Sequence, residues 1–251
     1  MKVRILILLI CLTIAGCAPA GPGSIPTITL ASPSEAIPAD TPTPVPTFSP
    51  TETSKPTTVS LPPGREVLFE EAGDKKLGGT LYGEGKTAIL LANMSIGGQK
   101  QWDPFVAAVD KQKFTTITFD YRDIDDVGPD MDLILGWLNA QGYDRVICIG
   151  ASLGTRACSS IALEPEIAGI VLIAGSVHHA SVAEATYPKL FVSGALDRWA
   201  YDIQTGYEKA AGPKELVLFA ENRAHGTDLF SSKDRDAFLT LLIDFVSGKV
   251  H

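Results

Sequence analysis

The chain has 251 residues, 45% of them hydrophobic, and a formal net charge of -8. An acidic total excludes a nucleic-acid binder, which needs a basic patch to neutralise phosphates, and four cysteines are too few for a disulfide scaffold. Only four histidines are present, so an imidazole base has to be His178, His179, His225 or His251.

Residues 1–17 read MKVRILILLICLTIAGC. Lys2 and Arg4 form a basic start and Ile5 opens an apolar run, a secretory-signal pattern too short for a membrane-spanning helix of about 20 residues. The run ends in Ile14, Ala15, Gly16 and Cys17. This resembles the lipobox of bacterial lipoproteins, which implies cleavage before Cys17 and a diacylglycerol on its sulfur. The resemblance implies export, anchoring to the bacterial cell membrane, and an extracytoplasmic catalytic domain. Two or three acyl chains anchor stably where one is marginal. Residues 18–64 hold twelve of the seventeen prolines, many Thr and Ser, and one aromatic, Phe48. Such a segment cannot bury enough apolar surface to fold and favours extended polyproline II. It reads as a disordered stalk. Residues 65–251 form the globular part, and the stalk and leader charges cancel, so this part also carries -8. That charge is spread along it and serves solubility.

Within the globular part, 65–70 and 76–82 read as two strands joined by a turn at Gly73 and Asp74. TAILLA at 87–92 is a continuous apolar run, as expected of a strand buried on both faces. A helix follows at 101–111 with Trp102, Phe105, Val106 and Val109 on one side. Then come a strand at 114–119, a helix at 130–140, a strand at 145–149 and a helix at 153–163. Strands at 169–174 and 190–193, a helix at 200–211, a strand at 215–219 and a helix at 233–246 complete the order. Strands alternating with helices of this length predict an α/β fold: a mostly parallel, doubly wound sheet with helices on both faces and an antiparallel N-terminal hairpin.

VICIGASLG places Gly150, Ser152 and Gly154 at a strand end just before a helix. A G-x-S-x-G there makes a sharp turn that exposes the serine hydroxyl above the sheet, and glycines let strand and helix approach without Cβ clashes. A serine nucleophile needs a base, and the base an orienting acid. His225 follows the strand at 215–219, on a loop at the carboxyl end of the sheet, where open α/β folds bind ligands. His178 and His179 follow another strand and would line the same mouth, whereas His251 is the chain terminus. Of the carboxylates between Ser152 and His225, only Asp197 lies just past a strand, where Gly194 lets the chain turn. Its alternative role is a surface pair with Arg198.

On the stretches LLANMSIGGQKQW, TFDYRD, GASLG, SGALD and AHG, in that order, residues 65–251 resemble the α/β-hydrolase superfamily. The nearest branches are its dienelactone-hydrolase-like and esterase-lipase-like ones. The resemblance implies a Ser152–Asp197–His225 triad, the order that excludes His178 and His179, and ester hydrolysis through an acyl-enzyme. It implies two backbone oxyanion donors, Leu153 and Ser95, with Met94 as the fallback. Asn93 stands where the family usually has His, and Asp123 where Gly usually follows the arginine. Thioesterase, peptidase or acyltransferase chemistry would use the same triad, and a non-catalytic surface binding protein would keep the fold alone. A small-molecule ester, no cofactor and no metal are expected, since no H-x-x-E-H or C-x-x-C spacing occurs. A monomer is expected. The fifteen residues before 190 are too few for a lid domain, so the site should be open, with a short loop carrying His178, His179 and Tyr187. Trp199 and Tyr201 either line the substrate pocket or pack a helix start. Cys148 and Cys158 read as buried core thiols.

Overall fold

The computed structural model describes residues 60–72 and 75–249. The leader, Cys17, the stalk up to residue 59, the turn at Gly73 and Asp74, and His251 lie outside the described residues. Eight strands form one sheet: β1 (Arg65–Ala72), β2 (Lys75–Tyr82), β3 (Thr87–Ala92), β4 (Phe114–Phe119), β5 (Val146–Ala151), β6 (Ile167–Ile173), β7 (Lys189–Gly194) and β8 (Lys214–Phe219). Their spatial order is β1-β2-β4-β3-β5-β6-β7-β8. β1 pairs antiparallel with β2, and β2 with β4; every other neighbour is parallel. The chain moves outward from β3 to β4, then returns to place β5 on the other side of β3. That reversal opens a crevice at the carboxyl ends of β3 and β5, the place where doubly wound sheets hold ligands.

The central strands are apolar throughout because both faces are covered. Leu90, Ala92, Cys148, Leu172 and Phe191 face one core, and Ile89, Leu91, Ile149, Val171 and Val192 the other. Helices α2 (Gly128–Ala140), α3 (Leu153–Ser160), α4 (His179–Glu184) and α5 (Ala200–Lys209) fill the first face with Ile134, Leu138, Ala157, Val182 and Ile203. Helices α1 (Asp103–Ala108) and α6 (Arg235–Val246) cover the second with Phe105, Val106, Phe238, Leu242 and Phe245. Each such side chain contributes about 1.5–3 kcal/mol on full burial.

The predicted strands are all present. The helix expected at 101–111 is shorter: a 3-10 turn over Gln99–Trp102 precedes α1, and Pro104 sits in its first turn. A proline there lacks the N–H an earlier helix start would require. The short connection before β7 contains α4, too brief for its periodicity to register. Lys189, at the start of β7, is buried and donates to Ala185 O at 2.7 Å and Tyr187 O at 2.8 Å. It closes the C-terminal end of α4, and burial, with Lys214 nearby, pushes its ammonium down to about 8.

One expectation is corrected. Cys148 and Cys158 are fully buried, as expected, but they form a disulfide and are not thiols. Cys148 faces α3 from β5 and Cys158 faces back, with Cα atoms 5.7 Å apart. The approach is this close because Gly150 and Gly154 interpose no side chains: a Cβ on Gly150 would lie 2.0 Å from Gly154 O. Closing so short a loop stabilises a fold by about 2–3 kcal/mol on the chain-entropy account. Denatured, unreduced protein should therefore leave both cysteines unalkylated by mass spectrometry. The Cys148→Ala/Cys158→Ala variant should lose about 2–3 kcal/mol in urea unfolding; an unchanged midpoint would contradict this role.

Candidate active site

Ser152 stands between the end of β5 and the start of α3 with φ 54 and ψ -108. A non-glycine residue in this region costs on the order of 1–3 kcal/mol and persists only where its surroundings impose it. Here they do. The Ser152 N–H donates to Ile173 O at 2.8 Å, and Thr155 N–H donates to Ser152 O at 3.1 Å. The buried Thr155 hydroxyl lies within reach of Ile173 O at 3.1 Å and Gly150 O at 3.3 Å. With Gly150, two more glycines make the space: a Cβ on Gly154 would sit 2.1 Å from Ala92 O, and one on Gly175 2.2 Å from Ser152 O. Backbone thus surrounds the turn, and the hydroxyl has only the upper side open.

The Ser152 hydroxyl oxygen lies 2.8 Å from His225 Nε2. His225 Nδ1 lies 2.9 Å from Asp197 Oδ2, whose side chain is 3% exposed. The tautomer that fits carries its proton on Nδ1, donates it to Asp197, and accepts from Ser152. The other Asp197 oxygen accepts the Trp199 backbone N–H at 2.6 Å. That second bond fixes the carboxylate plane, and the sequence gives no sign of it. Asp197 does not form the alternative surface pair; the Arg198 guanidinium stacks instead 5.7 Å from the Trp199 ring centre.

The acid and histidine loops are joined by backbone. Leu196 N–H donates to Asn222 O at 2.9 Å, and a Cβ on Gly194 would meet that oxygen at 2.6 Å. The buried Asn222 side chain accepts from Ala224 N–H at 2.7 Å and donates to Asp234 at 2.7 Å and Ser232 at 3.0 Å. It sets where His225 begins, and its residue type alone does not announce the role. His225 is followed by Gly226 at φ 55 and a 3-10 turn over Gly226–Ser231.

The loop after β3 faces Ser152. Asn93, where the resemblance leads one to expect His, is buried and donates to Phe119 O and to Asp120 at 3.3 Å. Asp120 also accepts Gln99 N–H at 2.8 Å, Tyr121 O–H donates to Asn93 O at 3.4 Å, and Gln101 donates to Ile96 O. Burial, with Asp130 nearby, raises the Tyr121 phenol, which keeps it a neutral donor. The loop is therefore bound to the end of β4 without a histidine. Asp123 accepts Asp125 N–H at 2.9 Å and closes its own turn where a glycine was expected. Arg122 beside it is held by Asp130 and Glu70, each at 2.6 Å.

Two clefts meet at Ser152. One, of about 240 Å³, is lined by Ser95, Leu153, Ser176 and Trp199 among others. The other, of about 440 Å³, is lined by Met94, Ser95, Gln101 and His225 among others. Leu153 is the first residue of α3, so its N–H has no acceptor within the helix, and with Ser95 it borders the same cleft as the serine. Of the two aromatics considered, Trp199 lines the smaller cleft, whereas Tyr201 is 78% exposed and lines neither. His178 bonds Ser181 at 2.7 Å, His179 lies 3.3 Å from Lys209, and Tyr187 donates to Ala162 O; none of the three lines either cleft. Among the described residues no cluster of three His, Cys, Asp or Glu side chains is arranged to hold a metal ion.

No protein-family model matches the chain, and no curated protein matches it either. Solved structures do. The esterase domain of a Rhodothermus marinus protein is 18% identical, with TM-score 0.62 over 75% of this chain and 100% of that one. Dienelactone hydrolase from Anabaena variabilis is 19% identical, with TM-score 0.63 over 76% and 100%. Thermogutta terrifontis esterase 2, solved phosphorylated by paraoxon, is 15% identical, with TM-score 0.61 over 76% and 96%. At these identities the likeness is one of architecture: the chain has the α/β-hydrolase fold.

Proposed function

We propose that the chain is a serine hydrolase that cleaves carboxylic esters through an acyl-enzyme. The observation that carries this reading is the unbroken hydrogen-bond chain Asp197–His225–Ser152 beneath an open mouth. Ser152 Oγ attacks the carbonyl carbon as His225 Nε2 takes its proton. Asp197 holds the imidazole and stabilises the imidazolium. The N–H groups of Leu153 and Ser95 receive the developing oxyanion, each worth about 2.7–4 kcal/mol in the transition state. His225 then protonates the leaving alcohol, and water, deprotonated by the same histidine, releases the acid. The esterases among the structural neighbours support this choice of reaction class.

The anchored location is part of the same reading. The lipobox at Cys17 supports it, and so does the Cys148–Cys158 disulfide, because such bonds persist in oxidising compartments outside the cytosol.

On p-nitrophenyl esters of short chains, Ser152→Ala and His225→Ala should each lose about a million-fold in kcat, and Asp197→Asn about ten-thousand-fold. Ester turnover by Ser152→Ala at the full rate would overturn the assignment. Cys17→Ser should move the protein from the membrane fraction to the soluble one or block its processing. Unchanged membrane association would count against lipidation.

A further inference from the structure

The two clefts at Ser152 differ in charge. His225 borders only the larger one. The leaving alcohol has to reach His225 Nε2 to take its proton, so the alcohol part of a substrate lies over the larger cleft. The acyl part then extends the other way, past Leu153 and Ser176 into the smaller cleft. There it meets Arg156, which lines this cleft alone, and Arg198, which lines both.

Neither arginine is neutralised. Arg156 lies one helical turn beyond Ser152 on α3, and its guanidinium donates to two backbone carbonyls, Asp125 O at 3.1 Å and Ile124 O at 3.4 Å. Those bonds tether the group to neutral carbonyls and leave its charge uncancelled. Arg198 rests near the Trp199 ring. Among the described residues neither has a carboxylate within 4.0 Å, the limit for an ion pair, whereas Arg122 is held by two. No acid lines the smaller cleft, while Asp228 lines the larger one. Arg156 lines only the smaller cleft and Arg198 stands between the two, so the smaller cleft has two guanidiniums and no acid, whereas in the larger one Asp228 offsets Arg198. Planar guanidiniums are suited to carboxylates, which they engage through paired N–H donors.

We propose that the smaller cleft is an acyl subsite for a carboxylate and that the enzyme prefers half-esters of dicarboxylic acids. The inference rests on the serine-hydrolase reading above. The free carboxylate of the acyl chain sits between Arg156 and Arg198 while its ester carbonyl lies on Ser152. Water cleaves the acyl C–O bond; the products are the dicarboxylate and the alcohol. A carboxylate on the alcohol side meets Asp228 beside Arg198 and lacks Arg156, so it is disfavoured relative to one on the acyl side.

The test compares three esters on the full chain: monomethyl glutarate, charged on the acyl side; methyl hexanoate, neutral; and the butyryl ester of glycolic acid, charged on the alcohol side. The expected kcat/KM for monomethyl glutarate exceeds both others at least tenfold, through a lower KM. In Arg156→Gln and Arg198→Gln the ratio of monomethyl glutarate to methyl hexanoate falls at least fivefold. Wild-type protein gives an answer without any variant: free glutarate should inhibit methyl hexanoate hydrolysis at least tenfold more strongly than free hexanoate. Hydrolysis of methyl hexanoate with no preference for the half-ester would overturn the subsite and leave the hydrolase reading standing. Preference for the glycolate ester would overturn its acyl-side placement. Turnover of none of the three, together with unreactive Ser152, would overturn both.

Discussion

The site depends on one steric constraint: strand, helix and neighbouring strand ends meet around Ser152 with no room for a side chain. Cβ atoms on Gly150, Gly154 or Gly175 would fall 2.0–2.2 Å from backbone atoms. Because interiors pack at crystal-like density, such positions admit hydrogen only. The same closeness holds Ser152 at a positive φ and brings Cys148 within bonding distance of Cys158. Backbone strain, disulfide and exposed hydroxyl are three consequences of one approach between β5 and α3. The position of Ser152 is thus set by main chain, which moves less than a rotamer.

The other two members of the hydrogen-bond chain are placed by joining loops to one another. Gly194 passes beneath the carbonyl of Asn222, and Asn222 ties the histidine loop to the start of α6. On the far side, Asn93 and Asp120 bind the loop after β3 to the end of β4. Buried polar groups are costly unless bonded, and bonded ones fix a conformation. The hydrophobic sheet supplies the stability; these few polar residues supply the precision at its carboxyl edge.

The fold was legible because its signals are local. TAILLA and VICIGA are too apolar for any place but a doubly covered sheet, and glycines flanking Ser152 mark a turn at a strand end. Asp197 and His225 were legible by position, each on the loop that follows a strand. What stayed hidden depends on contacts between distant segments. The pairing of Cys148 with Cys158 needed the distance between β5 and α3, since their spacing fits buried thiols equally well. The six residues of α4 are too few for a helical period. Asn222 and the Trp199 N–H act through backbone geometry that residue type does not encode. Arg156 carries no sequence signal and Arg198 reads only as an alternative partner of Asp197; the structure sets both beside the smaller cleft.

Ester cleavage and the acyl-side placement of a carboxylate both require that His225 makes Ser152 nucleophilic. A serine with no adjacent base reacts slowly with fluorophosphonates, and one activated by a histidine rapidly. The most direct measurement is to treat the full chain with a fluorophosphonate and locate the adduct by tandem mass spectrometry. The account predicts a single adduct on Ser152 in the native protein, and none in His225→Ala or in urea. An adduct on Ser152 at equal rate without His225, or none on Ser152 in the native protein, would contradict it.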